Sequence, residues 1–206
     1  HRSWGPQHGQ SLEAWFMHVP GLYVVMPSTP YDAKGLLKTS IRNDNPILFI
    51  EHKAIYLNKG EIPEEEYTLP LGKAEVKREG KDVTLISYSR QVNYCQQAAE
   101  QLSEEGIEAE VIDLRSLKPL DMETVIASVK KTNRAVVVEE GYKTAGVGGE
   151  ISTRISNQAF DYLDAPVKRC AGKDIPIPCV KHLEEAAIPS PESIVDKAKQ
   201  VLYIKN

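Results

Sequence analysis

The run Val83-Thr84-Leu85-Ile86-Ser87-Tyr88, the longer run 91–104 with Gly106 just behind it, and the run Ala109-Glu110-Val111-Ile112-Asp113-Leu114 decide the fold class. The outer two are short, β-branched and nearly continuous in apolar character, as strands covered by helices on both faces must be. The middle one has helical length and stops before a glycine, the residue that tolerates the backbone of a helix C-terminus. Strand, helix and strand in this order form a βαβ unit, and such units build a mostly parallel α/β sheet.

The same alternation continues on either side. Strands are expected over 23–26, 47–50, 134–139 and 167–170, and helices over 11–18, 121–131, 149–157 and 191–203. A further helix opens at Ser28-Thr29-Pro30, an N-cap with proline in the first turn, and carries Ala33, Leu36, Leu37 and Ile41 at helical spacing. Between these patterns, Asn58-Lys59-Gly60-Glu61-Ile62-Pro63-Glu64-Glu65-Glu66 is polar, acidic and without period, which suits an interdomain crossing. The chain is therefore divided near Leu71. Residues 1–71 hold too few strands to close a sheet alone and read as the second half of a domain, whereas 72–206 read as a complete one. No internal repeat is visible.

Composition narrows the function classes. The 206 residues, at roughly 150 per domain, allow one to two domains. Lys plus Arg number 25 against 29 Asp plus Glu, a net charge of −4, so the basic face that nucleic acid requires is not expected. Hydrophobic residues at 41% and charged residues at 26% are globular values. The longest apolar runs, such as Ala135-Val136-Val137-Val138 and Ile47-Leu48-Phe49-Ile50, fall far short of the ~20 residues that span a bilayer. Cys95, Cys170 and Cys179 are odd in number and lack C-x-x-C spacing, which argues against a disulfide framework or a zinc site and for a reducing compartment. The chain opens His1-Arg2-Ser3 without leader composition and reads as the inside of something longer.

Several candidate motifs dissolve on inspection. The cluster Thr144-Ala145-Gly146-Val147-Gly148-Gly149-Glu150 follows a strand and opens a helix, yet G-x-G-x-x-G would need glycine where Ile151 stands, and no Lys-Ser/Thr follows. Those glycines are expected to permit a tight turn or close packing. No G-x-S-x-G nucleophile elbow occurs. His1 and His18 stand without a motif, and His52 and His182 adjoin acids (Glu51; Glu184 and Glu185) without forming H-E-x-x-H, so metal ligation by histidine is not expected. The run Glu64-Glu65-Glu66 reads as a solvated face. His8 differs. It lies in Gly5-Pro6-Gln7-His8-Gly9-Gln10-Ser11 at the mouth of the 11–18 helix, where a loop can present an imidazole to a cleft for proton transfer or carbonyl polarisation; a capping or structural role is the alternative.

Together, Gln7-His8-Gly9-Gln10-Ser11-Leu12-Glu13-Ala14, Val19-Pro20-Gly21-Leu22, the run 25–37, Asn45-Pro46, Asp113-Leu114-Arg115-Ser116-Leu117-Lys118-Pro119-Leu120-Asp121, Glu139-Glu140-Gly141 and Tyr162-Leu163-Asp164-Ala165-Pro166 resemble one family over essentially the whole chain. It is the β subunit of the thiamine-diphosphate-dependent decarboxylating component of 2-oxoacid dehydrogenase complexes. The resemblance implies part of a pyrimidine-binding thiamine-diphosphate fold followed by a complete transketolase C-terminal-like domain. It implies oxidative decarboxylation of a 2-oxoacid with acyl transfer to lipoyl. Pyruvate is the first substrate implied, and the motifs leave branched-chain 2-oxoacid and acetoin enzymes open. Transketolase and deoxyxylulose-phosphate synthase share the fold without this run of matches.

By the same resemblance, thiamine diphosphate lies between subunits, its diphosphate held through Mg²⁺ on an α subunit. The assembly is an α₂β₂ heterotetramer docked on a dihydrolipoyl acyltransferase core, in a bacterial cytoplasm or an organellar matrix. His8 matches the active-site histidine of the Q-H-S-Q segment, with Gly9 replacing the usual serine. Ser40, Ile41, Asn43 and Asn45 match positions that bind a structural K⁺, largely through main-chain oxygens; Ser40 and Asn43 stand where Ala and Asp are common. The glutamate that activates the aminopyrimidine belongs to sequence upstream of His1. A second role, docking by 72–206, would use acidic residues such as Asp161 and Asp164.

Overall fold

The computed structural model describes residues 5–204, so His1 lies outside the described residues. In chain order these form α1 (Glu13–Met17), β1 (Tyr23–Val25), α2 (Pro30–Ile41), β2 (Ile47–Phe49), β3 (Glu75–Arg78), β4 (Val83–Ser87), α3 (Arg90–Glu104), β5 (Ala109–Asp113), β6 (Ser116–Lys118), α4 (Met122–Thr132), β7 (Ala135–Tyr142), α5 (Val147–Ala159), β8 (Lys168–Gly172), α6 (Lys181–Ala187) and α7 (Pro191–Val201), with 3₁₀ turns at Lys53–Ile55 and Phe160–Tyr162.

The βαβ unit read first is the centre of a five-stranded sheet of order β3-β5-β4-β7-β8. β4 runs parallel to β5 from Val83↔Ala109 to Ser87↔Asp113, and parallel to β7 on its other side. Side chains alternate across a strand, and the core follows. Leu85, Val111 and Val138 pack with Val92, Leu102 and Ile194 under α3 and α7, while Ile86, Ile112 and Val137 pack with Val125, Val129 and Ile151 under α4 and α5. Each such side chain contributes about 1.5–3 kcal/mol by leaving water. Because the chain leaves β4 toward β5 and later returns to β7 on the opposite side, the C-terminal ends of β4 and β7 flank the crevice where winding reverses, the usual ligand position in such sheets.

The second sheet, β2-β1-β6, is smaller. β1 is parallel to β2 and antiparallel to β6, a strand the sequence reading did not place. β6 belongs to the later part of the chain, so this sheet joins both parts. Lys118 strengthens the join by donating to the carbonyls of Met17 and Val19, both at 2.8 Å. β3, also unplaced, is an antiparallel edge strand with a register shift between Val76 and Arg78. Its sequence is charged because an edge strand protects itself that way.

A buried ionic cluster ties α2 to this edge. Asp32, fully buried in the first turn of α2, meets Arg115 Nη2 at 2.6 Å and Lys77 Nζ at 3.1 Å, and both cations also reach Glu75. Beside it, Asp113 accepts from the Ser28 hydroxyl and, at 2.9 Å, from the Arg115 amide. Burial pushes the Asp113 carboxyl up to about 6, with the Ser28 hydrogen bond working against the rise.

Helix starts obey local chemistry. Thr29 Oγ1 accepts from the Asp32 amide at 3.1 Å, and the Ser190 and Ser193 side chains cap α7 reciprocally. Asp121 accepts from the Thr124 amide at 3.2 Å and from the Ala74 amide at 3.0 Å, so one carboxylate caps α4 and clips the entry to β3. α1 is shorter than the expected 11–18, since its N-cap position is Leu12, which has no side-chain acceptor.

Candidate functional site

A cavity of about 350 Å³ opens where strands of both sheets end. Met26 and Ile50 follow β1 and β2, Arg90 follows β4, and Glu140 lies late in β7; all four line it, with Phe16 and Leu48 adding apolar wall. His8 stands at the rim. Its loop is held by the Gly9 amide donating to the Gly5 carbonyl at 3.0 Å, with Gly5 at φ +89°, and the imidazole is exposed without a hydrogen-bond partner among the described residues. The capping alternative for His8 finds no support, because α1 begins five residues later, at Glu13.

The deeper wall is ionic. His52 Nδ1 accepts from the Ala54 amide at 3.1 Å, so its hydrogen sits on Nε2, which donates to Glu140 Oε1 at 3.0 Å. Glu140 Oε2 takes Gln91 at 3.3 Å and faces Arg90 Nη1 at 3.5 Å. Burial would raise this carboxyl, yet the His52 hydrogen bond, the Arg90 charge and the Gln91 amide outweigh it and hold Glu140 below the usual carboxylate range. Glu13 is buried in the same wall and accepts from the Tyr88 hydroxyl at 2.8 Å. Burial pushes it upward, and nearby Glu140 and Glu139 add to the rise.

Glu139 points the other way. It is fully buried against Arg169, whose Nη2 lies at 2.6 Å, and accepts from the Gly148 amide at 2.9 Å. A side chain at Gly146 or Gly148 would strike this ion pair, so the glycine cluster serves close packing, as its spacing implied.

The remaining candidates disperse. Ser40, Ile41, Asn43 and Asn45 sit at and just beyond the C-terminal end of α2, away from the cavity; the Ser40 carbonyl accepts from the Asn43 amide at 3.4 Å, and Asn43 Oδ1 accepts from both the amide and the side chain of Asn45 at 2.9 Å. His18 and His182 are exposed, and no three His, Cys, Asp or Glu side chains gather as metal ligands among the described residues. Cys95 and Cys170 are buried free thiols and Cys179 an exposed one. Asp161 and Asp164 are both exposed, and Asp164 pairs with Arg134 at 2.9 Å. No helix among the described residues is long and apolar enough to cross a membrane.

Sequence reasoning missed Glu13, Arg90 and Glu140, and set His52 aside because its neighbour Glu51 formed no motif with it. In the structure Glu51 accepts from Tyr56 at 3.1 Å, and the partner of His52 is 88 residues away. The available signal was two consecutive acids ending an otherwise apolar buried strand.

Residues 72–194 match the transketolase C-terminal domain and residues 3–58 the transketolase pyrimidine-binding domain. Pyruvate dehydrogenase E1 component subunit beta of Rhizobium meliloti (strain 1021) is 50% identical over 198 residues, covering 96% of this chain and 43% of that protein. The mitochondrial protein of the same description from Dictyostelium discoideum is 49% identical, covering 96% and 56%, and that of Porphyra purpurea 49%, covering 98% and 61%. The chain thus spans about half the length of the curated relatives it matches. A solved structure described as a split gene transketolase, inactive beta4 tetramer, superposes with a TM-score of 0.80 at 23% identity, covering 98% of this chain and 64% of that one, and shows the same fold.

Proposed function

The chain belongs to the transketolase C-terminal domain family, and on that footing we propose that it is part of the β subunit of a pyruvate dehydrogenase E1 component, with His8 in the active site. The observation that carries this reading is the exposed imidazole at the rim of a cavity built from the C-terminal ends of parallel strands.

The cavity suits one side of a flat heterocycle: Phe16, Met26, Leu48 and Ile50 supply apolar wall, and His8, Glu13, His52, Arg90 and Glu140 supply polar groups. When bound, thiamine diphosphate supplies the electron-accepting centre that decarboxylation of a 2-oxoacid requires and that side chains lack. The α subunit, with Mg²⁺, closes the other side in this proposal. His8 then moves protons at the rim, where its ring is unconstrained by other hydrogen bonds. His52, Arg90 and Gln91 keep the Glu140 carboxylate charged and in place.

K⁺ is assigned to the end of α2, through main-chain oxygens of Ser40, Ile41, Asn43 and Asn45. A helix C-terminus leaves carbonyls without intrahelical partners and carries partial negative charge, which fits a hard cation. An α₂β₂ assembly on an acyltransferase core, in a bacterial cytoplasm or organellar matrix, follows from the same proposal, as does a domain division near Leu71. Branched-chain 2-oxoacid or acetoin specificity is the alternative within it.

The test uses the full-length subunit with its α partner, thiamine diphosphate and Mg²⁺. His8→Ala should lower reductive acylation of lipoyl by about 10²-fold, the ordinary contribution of a general acid–base group. Unchanged turnover removes His8 from the active site.

A further inference from the structure

We infer that Glu13 and Glu140 act as a divided carboxylate pair in the cavity, Glu140 the cation-held anchor and Glu13 the carboxyl that exchanges a proton with the reaction beside it; this rests on the enzymatic reading above.

Both carboxyls line the one cavity, Glu140 from β7 and Glu13 from the start of α1; Glu13 Oε1 lies 3.2 Å from where a side chain at Gly141 would begin, on the strand face that Glu139 shares. Their partners are unequal. Glu140 receives His52, Gln91 and the Arg90 charge. Glu13 receives the neutral Tyr88 hydroxyl and its own amide, and no cation pairs with it among the described residues. Two carboxylates lining one cavity repel each other, so the proton favours the one without a cation. Environments that push two carboxyls apart in this way assign them different roles.

The groups facing Glu13 come from every surrounding element. Tyr88 follows β4, Glu139 and Glu140 lie late in β7, Arg90 opens α3, His52 follows β2, His8 lies on the preceding loop, and His18 follows α1. Arg90 is committed to Glu140 and the Tyr94 hydroxyl, and the charge of Glu139 is met by Arg169. Burial raises Glu13 while the partners of Glu140 lower it, in the same sense as the geometry. In the step proposed, the Glu13 O–H bond breaks, its proton passes to a reactant atom or water in the cavity, and the carboxylate left behind recovers a proton from solvent.

Isotope-edited infrared spectroscopy of the full-length subunit, without its α partner or cofactor, tests the pair directly. A protonated-carboxyl band that Glu13→Gln abolishes should persist above the ordinary glutamate pKa of about 4.3. Glu140→Gln should move its titration back toward that value. A band that titrates in the ordinary range, or that ignores Glu140→Gln, overturns the inference. Should Glu13→Gln fail to fold, Tyr88→Phe, which removes one hydroxyl, should carry the band to higher pH, and an unmoved band again overturns it. In the assembled enzyme, Glu13→Gln should shift the pH profile of kcat, and a profile superimposable on that of the unsubstituted enzyme counts against the proton role. An unsubstituted enzyme that turns over no 2-oxoacid would sink the enzymatic reading alone, because the infrared titration needs no turnover.

Discussion

A methyl group at Gly148 would collide with Glu139 Oε1 and come within 2.9 Å of Arg169 Nε. Both partners are held in a buried ion pair, so neither can yield cheaply. Gly148→Ala should therefore destabilise the full-length subunit by about 1–3 kcal/mol, the usual cost of overpacking, read as a shifted denaturant midpoint with unchanged slope. Unaltered stability would mean that the pair relaxes freely. The need for small residues here was legible in the sequence, since the spacing ruled out a phosphate loop and left packing. What they pack against was not, because Arg169 lies 30 residues from Glu139 in the chain. The place of His8 at a cavity rim was legible from its loop. The Glu140 cluster was not, since hydrogen-bond partners brought together by the sheet leave no local pattern.

At the scale of elements, Asp121 joins a helix to a strand entry. Burial works against its charge, but the Ala74 and Thr124 hydrogen bonds prevail and hold its carboxyl below the ordinary range. A depressed carboxyl stabilises the fold above its unfolded pKa, and that contribution is lost as pH falls through the folded value. Asp121→Ala should cost about 1–2 kcal/mol at neutral pH, the scale of a lost cap, and the gap from the unsubstituted protein should close in acid. Urea melts at neutral and acidic pH decide this; a gap independent of pH refutes the assignment. The expected strands and the main helices are present within a few residues, because β-branched runs and helical periodicity are strong local signals. β6, of three residues, and the charged edge strand β3 carry no such signal and exist through their neighbours.

For the whole molecule, the Asp113 cluster sets a pH dependence. Its carboxyl is raised from 3.8 to about 6 in the fold, so the native state holds this proton more tightly than the unfolded chain. Its stabilising contribution is complete below the unfolded pKa and is lost as pH rises through about 6. Two pH units correspond to about 3 kcal/mol at most. The difference in unfolding free energy between Asp113→Asn and the unsubstituted full-length subunit should therefore change between pH 4 and 7, with the substituted protein gaining relative stability as pH rises. A constant difference across that window would show that Asp113 titrates normally.

The pairing of β6 with β1, locked by Lys118, has a consequence for the exposed stretch 58–66 that links the two parts. Its far end is fastened to α2, where Lys34 donates to the Pro63 and Glu65 carbonyls and Arg42 pairs with Glu66. Cleavage within it should leave the two pieces co-eluting, held by the β1–β6 ladder, Lys118 and the Asp32–Arg115 pair; pieces that separate on a sizing column would show that these contacts do not suffice.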